Sequence, residues 1–276
     1  MPVQWFPGHM HRARKQIAAI MPSIDVVIEI LDARLPLFSE NPMLAELRGE
    51  RPCLKVLNKS DLADPVVTTA WKKYFQSQSQ ILPMDIVATD PKITRRIISL
   101  LLKMGPKRKL LIKPLLCLII GIPNVGKSTL MNTLVGRKVA RTANQAAITT
   151  KQKRVHISDE ITLYDTPGVL WPKIDDPQAS YMLAGSGAIR ETAMDNTHVA
   201  TWIGQYLMSE YPHLLQSRYG LDGLPDTGVA LLEAIGKKRG CLLKGAEVDL
   251  DKAATILLNE LRSGKIGRIS LQRPLP

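Results

Sequence analysis

The sequence holds few cysteines, no long apolar run and, across one long central stretch, no acidic residue. Cys53, Cys117 and Cys241 are scattered and odd in number. Two of them sit inside apolar, strand-like runs. Core thiols in a reducing compartment are therefore expected, and a disulfide framework or a cysteine-built metal site is not. No apolar run approaches the ~20 residues that span a bilayer. The strongest, Leu115 to Ile120, has the length of a buried strand. The opening Met1-Pro2-Val3-Gln4-Trp5 lacks the basic-then-apolar layout of a signal peptide, so a cytoplasmic chain with no membrane span is expected. No internal repeat, low-complexity tract or self-association motif is visible, and a monomer is the expected state. What remains is the composition of a folded chain: 276 residues, 45% hydrophobic and 22% charged. That length accommodates a full α/β core and a second, smaller domain.

The missing acids are the sharper signal. Between Pro91 and Ser158 there is no Asp or Glu, while Lys or Arg stands at 92, 95, 96, 103, 107, 108, 109, 113, 127, 137, 138, 141, 151, 153 and 154. That stretch carries +15, more than the net +12 of the whole chain. Residues after Ile189 are nearly balanced. A few of these cations can serve bound phosphates, but most cannot. A polyanion partner is the economical explanation, RNA in preference to DNA or a membrane surface. A merely soluble basic surface is the plain alternative.

Short runs rich in Val, Ile and Leu read as strands buried on both faces: Asp25–Asp32, Cys53–Asn58, Ile81–Val87, Leu115–Gly121, Arg154–Ser158 and Ile161–Asp165. Helical patterns at Asp64–Gln76, Pro91–Met104 and Lys127–Val135 alternate with them. The fold class expected is α/β, a doubly wound and mostly parallel sheet. Only Asp159-Glu160 separates the last two strands, which makes them a hairpin. From about Arg190 the chain looks all-helical, with helices at Asn196–Ser209, Thr227–Gly236 and Glu247–Ser263 and breaks at Gly220, Gly223, Gly236 and Gly240. The domains expected are a basic segment 1–22, an α/β domain 23–189 and a helical domain 190–276.

Three motifs carry the chemistry. Gly121-Ile122-Pro123-Asn124-Val125-Gly126-Lys127-Ser128 follows an apolar strand and opens a helix, the setting of a phosphate loop. Its glycines let successive N–H groups face a phosphate, reinforced by the helix N-terminus. Pro123, Asn124, Val125, Gly126 and Thr129 belong to that cradle. Lys127 should bridge the β- and γ-phosphates, and Ser128 should offer its hydroxyl to Mg²⁺. The tetrad Asn58-Lys59-Ser60-Asp61 ends a strand, at the edge where such sheets bind ligands. Asp61 can accept from the ring N–H and the exocyclic amine of guanine. Adenine offers neither donor there, and an unpaired buried carboxylate costs roughly 3–5 kcal/mol. Asn58 should tie this loop to the phosphate loop while the stem of Lys59 covers the base. Asp165-Thr166-Pro167-Gly168 reads as the γ-phosphate sensor, with Asp165 on Mg²⁺ through water and the Gly168 N–H on the phosphate. Thr149, with Thr150 as its rival, is the remaining candidate ligand of Mg²⁺. A loop contacting the guanine oxygen should follow the Ile81 strand, where Met84-Asp85-Ile86-Val87-Ala88 stands and backbone alone must supply the contact.

These motifs are those of a GTPase, but their order is inverted: the tetrad precedes the phosphate loop by about sixty residues. A circular permutation explains this, because a parallel sheet keeps its contacts when its chain is cut at one surface loop and its old ends are joined. Gly105-Pro106-Lys107-Arg108-Lys109 is the expected joint. Many GTPases place Gln directly after the sensor glycine to orient water. Val169 and Leu170 stand here instead, so intrinsic hydrolysis should be slow. Asn124 is a candidate for holding K⁺ against the phosphates, or a simple loop residue.

Together these residues resemble the circularly permuted ribosome biogenesis GTPase A family over nearly the full chain. Trp5-Phe6-Pro7-Gly8-His9-Met10 looks like its opening motif, and Asp32-Ala33-Arg34-Leu35-Pro36 matches its DAR-x-P signature. Asp165 to Pro172 matches its extended sensor, and Arg262 to Gly267 its ending. The resemblance implies a cytoplasmic assembly factor that binds the large ribosomal subunit and ribosomal RNA with GTP and leaves after hydrolysis stimulated by that particle. It also implies that 190–276 is a helical RNA-binding domain touching ribosomal RNA, and that His9 is a candidate to position the catalytic water. His9 reads equally as part of a basic, RNA-facing helix start. Ala146-Ala147 departs from the family's Pro-Gly before the switch threonine. Two other functions are open: a GTPase acting in tRNA modification or translation, and a GTP-dependent RNA-binding module whose hydrolysis is vestigial.

Overall fold

The computed structural model describes residues 7–106, 113–136, 153–166, 168, 174, 176–189 and 194–274. These fall into two compact units. One is built on a sheet, reaches to Gly168 and takes in residues 272–274; the other is helical and runs from Ile174 to Leu271.

The sheet holds β1 (Val26–Asp32), β2 (Cys53–Asn58), β3 (Ile81–Ile86), β4 (Leu115–Ile120), β5 (Lys153–Ser158) and β6 (Ile161–Asp165) in the order β3-β2-β1-β4-β6-β5. Neighbours are parallel except the β5–β6 hairpin. Renumbered from β4, the strand that leads into the phosphate loop, the same order reads 2-3-1-4-5-6 from the β5 edge. The neighbours are thus those of a fold that opens on the phosphate loop, while the chain opens three strands later. That is the spatial meaning of the permutation; of its expected joint, Gly105 and Pro106 follow directly on the helix Ile93–Met104, and Lys107, Arg108 and Lys109 lie outside the described residues. The chain leaves β1 toward one edge and β4 toward the other. Their carboxyl ends therefore flank the crevice at which doubly wound sheets bind ligands.

β1 and β2 are buried throughout, which their unbroken aliphatic runs explain. Two charges interrupt those runs. Glu29 lies in register with Lys55 on the next strand, 3.3 Å away, and Glu40 contacts the same ammonium. Burial pushes the Glu29 carboxyl up, opposed by Lys55. The pair survives in the core because each charge has a partner. Lys55→Ala should therefore cost roughly 3–5 kcal/mol, read as a lowered urea midpoint. An unshifted midpoint would show that the ion pair contributes nothing.

All three cysteines are buried and free, as expected of core thiols. Burial and the neighbouring Glu29 carboxylate push the Cys53 thiol up to about 12. A thiol reagent at pH 8 should label none of the three in the native protein and all three in denaturant. Native labelling of Cys53 would contradict the buried setting.

Around the sheet lie α1 (Pro7–Ile20), α2 (Pro36–Ser39), α3 (Pro42–Arg48), α4 (Pro65–Gln76), α5 (Ile93–Met104) and α6 (Lys127–Val135). Ile17 of α1 packs with Met21, Val27, Leu44 and Leu118, while Trp71 and Phe75 of α4 pack on Leu31 and Leu57. Asp64 caps α4, accepting from the amides of Val66 (2.8 Å) and Val67 (3.3 Å). The helical unit holds α7 (Pro177–Ser186), α8 (Asn196–Glu210), α9 (Pro212–Tyr219), α10 (Gly228–Arg239) and α11 (Leu250–Arg262). Here α8 approaches α10 so closely that a Cβ on Gly228 would stand 2.1 Å from the Thr201 carbonyl. Arg262 closes the end of α7, donating to the carbonyls of Gly185 (3.1 Å) and Ala184 (3.0 Å) in its last turn, where the Gly187 amide also donates to Ala184 (3.0 Å).

Several elements differ from the sequence reading. Helices α2, α3, α7 and α9 are absent from it; each begins on a proline, whose fixed φ suits the first helical position. Gly236 does not break α10, which runs on to Arg239 and closes at Gly240 with φ 66°. Its lack of a side chain serves packing, since a Cβ there would lie 2.3 Å from Val248 Cγ1. α11 starts at Leu250 rather than Glu247, because Val248 bridges to Leu242 and Asp249 is the cap. α5 starts at Ile93 rather than Pro91, after an Asp90 side chain that accepts from the Lys92 amide.

Candidate nucleotide site

Residues 121–126 join β4 to α6, and their backbone sets the loop's shape. Gly121 has φ 146°, and a Cβ there would lie 2.5 Å from the carbonyl of Ile30 in β1. Gly126 has φ 103°, and a Cβ there would lie 2.2 Å from Asn58 Nδ2. Only glycine fits either place. Asn124 also adopts a left-handed backbone, with φ 61°. The loop therefore curls over the first turn of α6, which carries Lys127, Ser128 and Thr129. Lys127 is 7% exposed, and its ammonium donates to the carbonyls of Gly121 (3.0 Å) and Ile122 (2.5 Å). Burial lowers its pKa to about 8, against the pull of the Asp165 carboxylate.

Asn58, at the end of β2, spans the site. Its Nδ2 donates to the Val125 carbonyl at 2.6 Å, and its Oδ1 accepts from the Ala88 amide at 2.9 Å. One buried amide thus joins the tetrad to the phosphate loop, 67 residues away, and to the loop after β3. That last loop is held further by Ser60, whose hydroxyl donates to the Ile86 carbonyl at 2.9 Å, and by Thr133 of α6, which donates to the Ala88 carbonyl at 2.6 Å. Lys59 follows with φ 62°, and its ammonium donates to Asp32 Oδ2 at 2.8 Å. Asp61 is exposed and sits in the field of Arg34 and Lys59.

Asp32 is the residue that sequence reasoning left without a role. It ends β1 and is gripped by Arg34, whose Nε meets Oδ1 at 3.0 Å and whose Nη2 meets Oδ2 at 2.8 Å. Burial alone would raise its pKa, but Arg34 and Lys59 hold the carboxyl far below the usual range. The signal available was an acid closing a buried strand at the ligand-binding edge.

Asp165 ends β6 in register with Ile119 of β4, and the next residue, Thr166, donates its hydroxyl to the Ile119 carbonyl at 2.7 Å. Gly168 lies against the phosphate loop: a Cβ on it would stand 2.9 Å from Lys127 Nζ and 3.0 Å from Pro123 Cα. The structure therefore gathers Asn58, Lys59, Pro123, Val125, Gly126, Lys127, Asp165 and Gly168 at one edge of the sheet. His9 lies in the first turn of α1, with its side chain outside the described atoms. Thr149, Thr150 and Val169 lie outside the described residues.

This arrangement favours an anion. A curled backbone, a helix N-terminus and a buried ammonium suit phosphate oxygens. The Asp165 carboxylate and the Ser128 hydroxyl are hard oxygen donors of the kind that suits Mg²⁺ beside phosphates. Among the described residues no helix is long and apolar enough to cross a membrane.

Comparison with known proteins points the same way. The family described as 50S ribosome-binding GTPase matches residues 116–201. Ribosome biogenesis GTPase A of Priestia megaterium is 40% identical, the match covering 99% of this chain and 98% of that one. Mitochondrial ribosome-associated GTPase 1 of Mus musculus is 30% identical over 99% of this chain and 90% of its own. Among solved structures, GNP-bound YlqF from T. maritima superposes with a TM-score of 0.67 at 23% identity, covering 95% of this chain and 98% of that one. A GDP-bound form gives 0.68. At that identity the superposition speaks to the fold.

Proposed function

The chain belongs to the ribosome biogenesis GTPase A family, and from that premise we propose that it is a timer for large-subunit assembly, docked with GTP and released with GDP. It is a GTP-binding protein and a GTP hydrolase of ribosome assembly. The observation that carries the site assignment is the Asn58 bridge. It ties the end of the tetrad's strand to the phosphate loop, although the chain separates them, and so supports reading both as parts of one nucleotide site.

In this reading Asp61 selects guanine, Lys59 covers the base, and the backbone from Pro123 to Thr129 holds the phosphates with Lys127 across the β- and γ-oxygens. Ser128, Asp165 and one of Thr149 or Thr150 hold Mg²⁺, which neutralises charge on the phosphoryl oxygens when bound. Gly168, packed on Lys127 and Pro123, reports whether a γ-phosphate is present. Water attacks the γ-phosphorus, the bond to the β-bridging oxygen breaks, and GDP and phosphate leave. His9 is the candidate for orienting that water, and Asn124 the candidate for holding K⁺, whose charge would supply the stabilisation that an arginine finger gives elsewhere.

Loss of the γ-phosphate frees the sensor segment, which leads within about twenty-five residues into helices proposed to contact ribosomal RNA. The acid-free stretch from 91 to 158 supplies the charge for a polyanion. The protein is proposed to act as a cytoplasmic monomer.

The test is GTP turnover by the full chain in K⁺ and in Na⁺, with and without large ribosomal subunits. Slow turnover that rises only with that particle, and more in K⁺ than in Na⁺, is expected. Asn124→Ala should erase the difference between the cations. Turnover that small subunits or tRNA stimulate equally well would contradict the assembly role. No turnover in any condition would reduce the chain to a GTP-dependent binding module.

A further inference from the structure

Gln272, where the chain rejoins the sheet unit after Leu271, makes four hydrogen bonds within that unit. Its amide donates to the Arg34 carbonyl at 3.2 Å, and its own carbonyl accepts from Trp71 Nε1 at 3.1 Å. Its side-chain Oε1 accepts from the amides of Leu37 at 2.8 Å and Phe38 at 3.1 Å. Those two amides stand at the start of α2, where helical N–H groups have no partner of their own and where the preceding Leu35 offers no side-chain cap. The tail thus caps a helix more than 230 residues upstream.

What Gln272 fastens is the segment that holds the base-reading loop. Arg34 grips Asp32 by two side-chain bonds, and its own amide adds a third to Asp32 Oδ1 at 3.1 Å. The Asp32 amide in turn donates to Ser39 Oγ of α2 at 3.0 Å, which closes the turn on itself. Asp32 then takes the Lys59 ammonium at 2.8 Å. Lys59 carries a left-handed backbone, φ 62°, two residues before Asp61, a conformation uncommon outside glycine and held by its surroundings. From Gln272 the hydrogen bonds run through Arg34 and Asp32 to Lys59, with Asp61 two residues further on, and Trp71, fully buried, gives the clasp a rigid seat.

We propose that Gln272 is a positioning residue for nucleotide binding: it clasps the Asp32–Arg34 turn and so preorganises Lys59 and Asp61 for guanine. The inference rests on the base-reading role given to Asp61. Gln272 touches neither base nor phosphate, and its effect belongs to affinity and release rather than to the chemical step.

The test uses the full-length chain, with a fluorescent GDP analogue for binding and preloaded GTP for single-turnover hydrolysis. Gln272→Ala should raise the Kd for GDP and GTP about tenfold, mostly through faster release, while the rate constant for bound GTP stays within about twofold. Gln272→Glu keeps an oxygen for the Leu37 and Phe38 amides and should recover most of the affinity. A fall in thermal stability with unchanged Kd would mark Gln272 as structural and overturn the proposal, as would failure of the Glu variant to recover affinity. Asp61→Asn measured alongside separates the two layers. Altered base preference there, with an unmoved Kd in Gln272→Ala, overturns the clasp alone. Unaltered preference overturns the base reading and the clasp with it.

Discussion

Lys127→Ala should bind GTP and GDP at least about a hundredfold more weakly than the native chain, because it removes charged hydrogen bonds worth roughly 1.5–3 kcal/mol each from two phosphates. The fold should survive. Lys127 is buried, and among the described residues its ammonium is held by the carbonyls of Gly121 and Ile122 and the field of Asp165. Burial disfavours its charge, so its removal relieves a desolvation cost as well as deleting contacts. Thermal melts with and without saturating GDP check both halves. The native chain should gain melting temperature with ligand, and the variant should melt near the unliganded native value without responding to it. A variant that still shifts with GDP would remove Lys127 from the phosphate site.

Asp61→Asn carries the second large effect, an exchange of base preference. A carboxylate accepts from both the ring N–H and the exocyclic amine of guanine. An amide presents one acceptor and one donor, which suits xanthine, where a carbonyl replaces that amine. Loss of one charge-assisted bond and a clash of two donors should weaken GDP by about a hundredfold, while XDP gains. Competition between labelled GDP and unlabelled XDP reads the exchange directly. Equal affinity of the variant for GDP and XDP, with native GDP affinity kept, would contradict contact between Asp61 and the base.

The sheet was legible because each strand is a short aliphatic run and each motif is contiguous. Leu115 to Ile120 followed by a glycine loop needs no knowledge of the rest of the chain. The inverted motif order was legible too, and the strand order β3-β2-β1-β4-β6-β5 gives it a spatial meaning. The tie from Asn58 to the phosphate loop was expected from the tetrad, and the 2.6 Å bond to Val125 supplies its form. What stayed hidden depends on contacts between distant residues. Nothing around Asp32 says that Lys59 will reach it, and nothing around Gln272 says that it will cap α2. Helices of four to ten residues such as α2, α3, α7 and α9 escaped because so few turns leave little periodicity, and their proline starts read equally well as loops. Gly236 misled for a related reason: a glycine needed for close packing against Val248 looks, in sequence, like one that ends a helix.

The most direct measurement is a crystal structure of this chain with a nonhydrolysable GTP analogue. The guanine edge should lie within hydrogen-bonding reach of the Asp61 carboxylate while the β- and γ-phosphate oxygens of that same molecule meet Lys127 and the Gly168 amide. An analogue seated on the phosphate loop with its base turned away from Asp61, or bound where Lys127 cannot reach it, would contradict the account at its root.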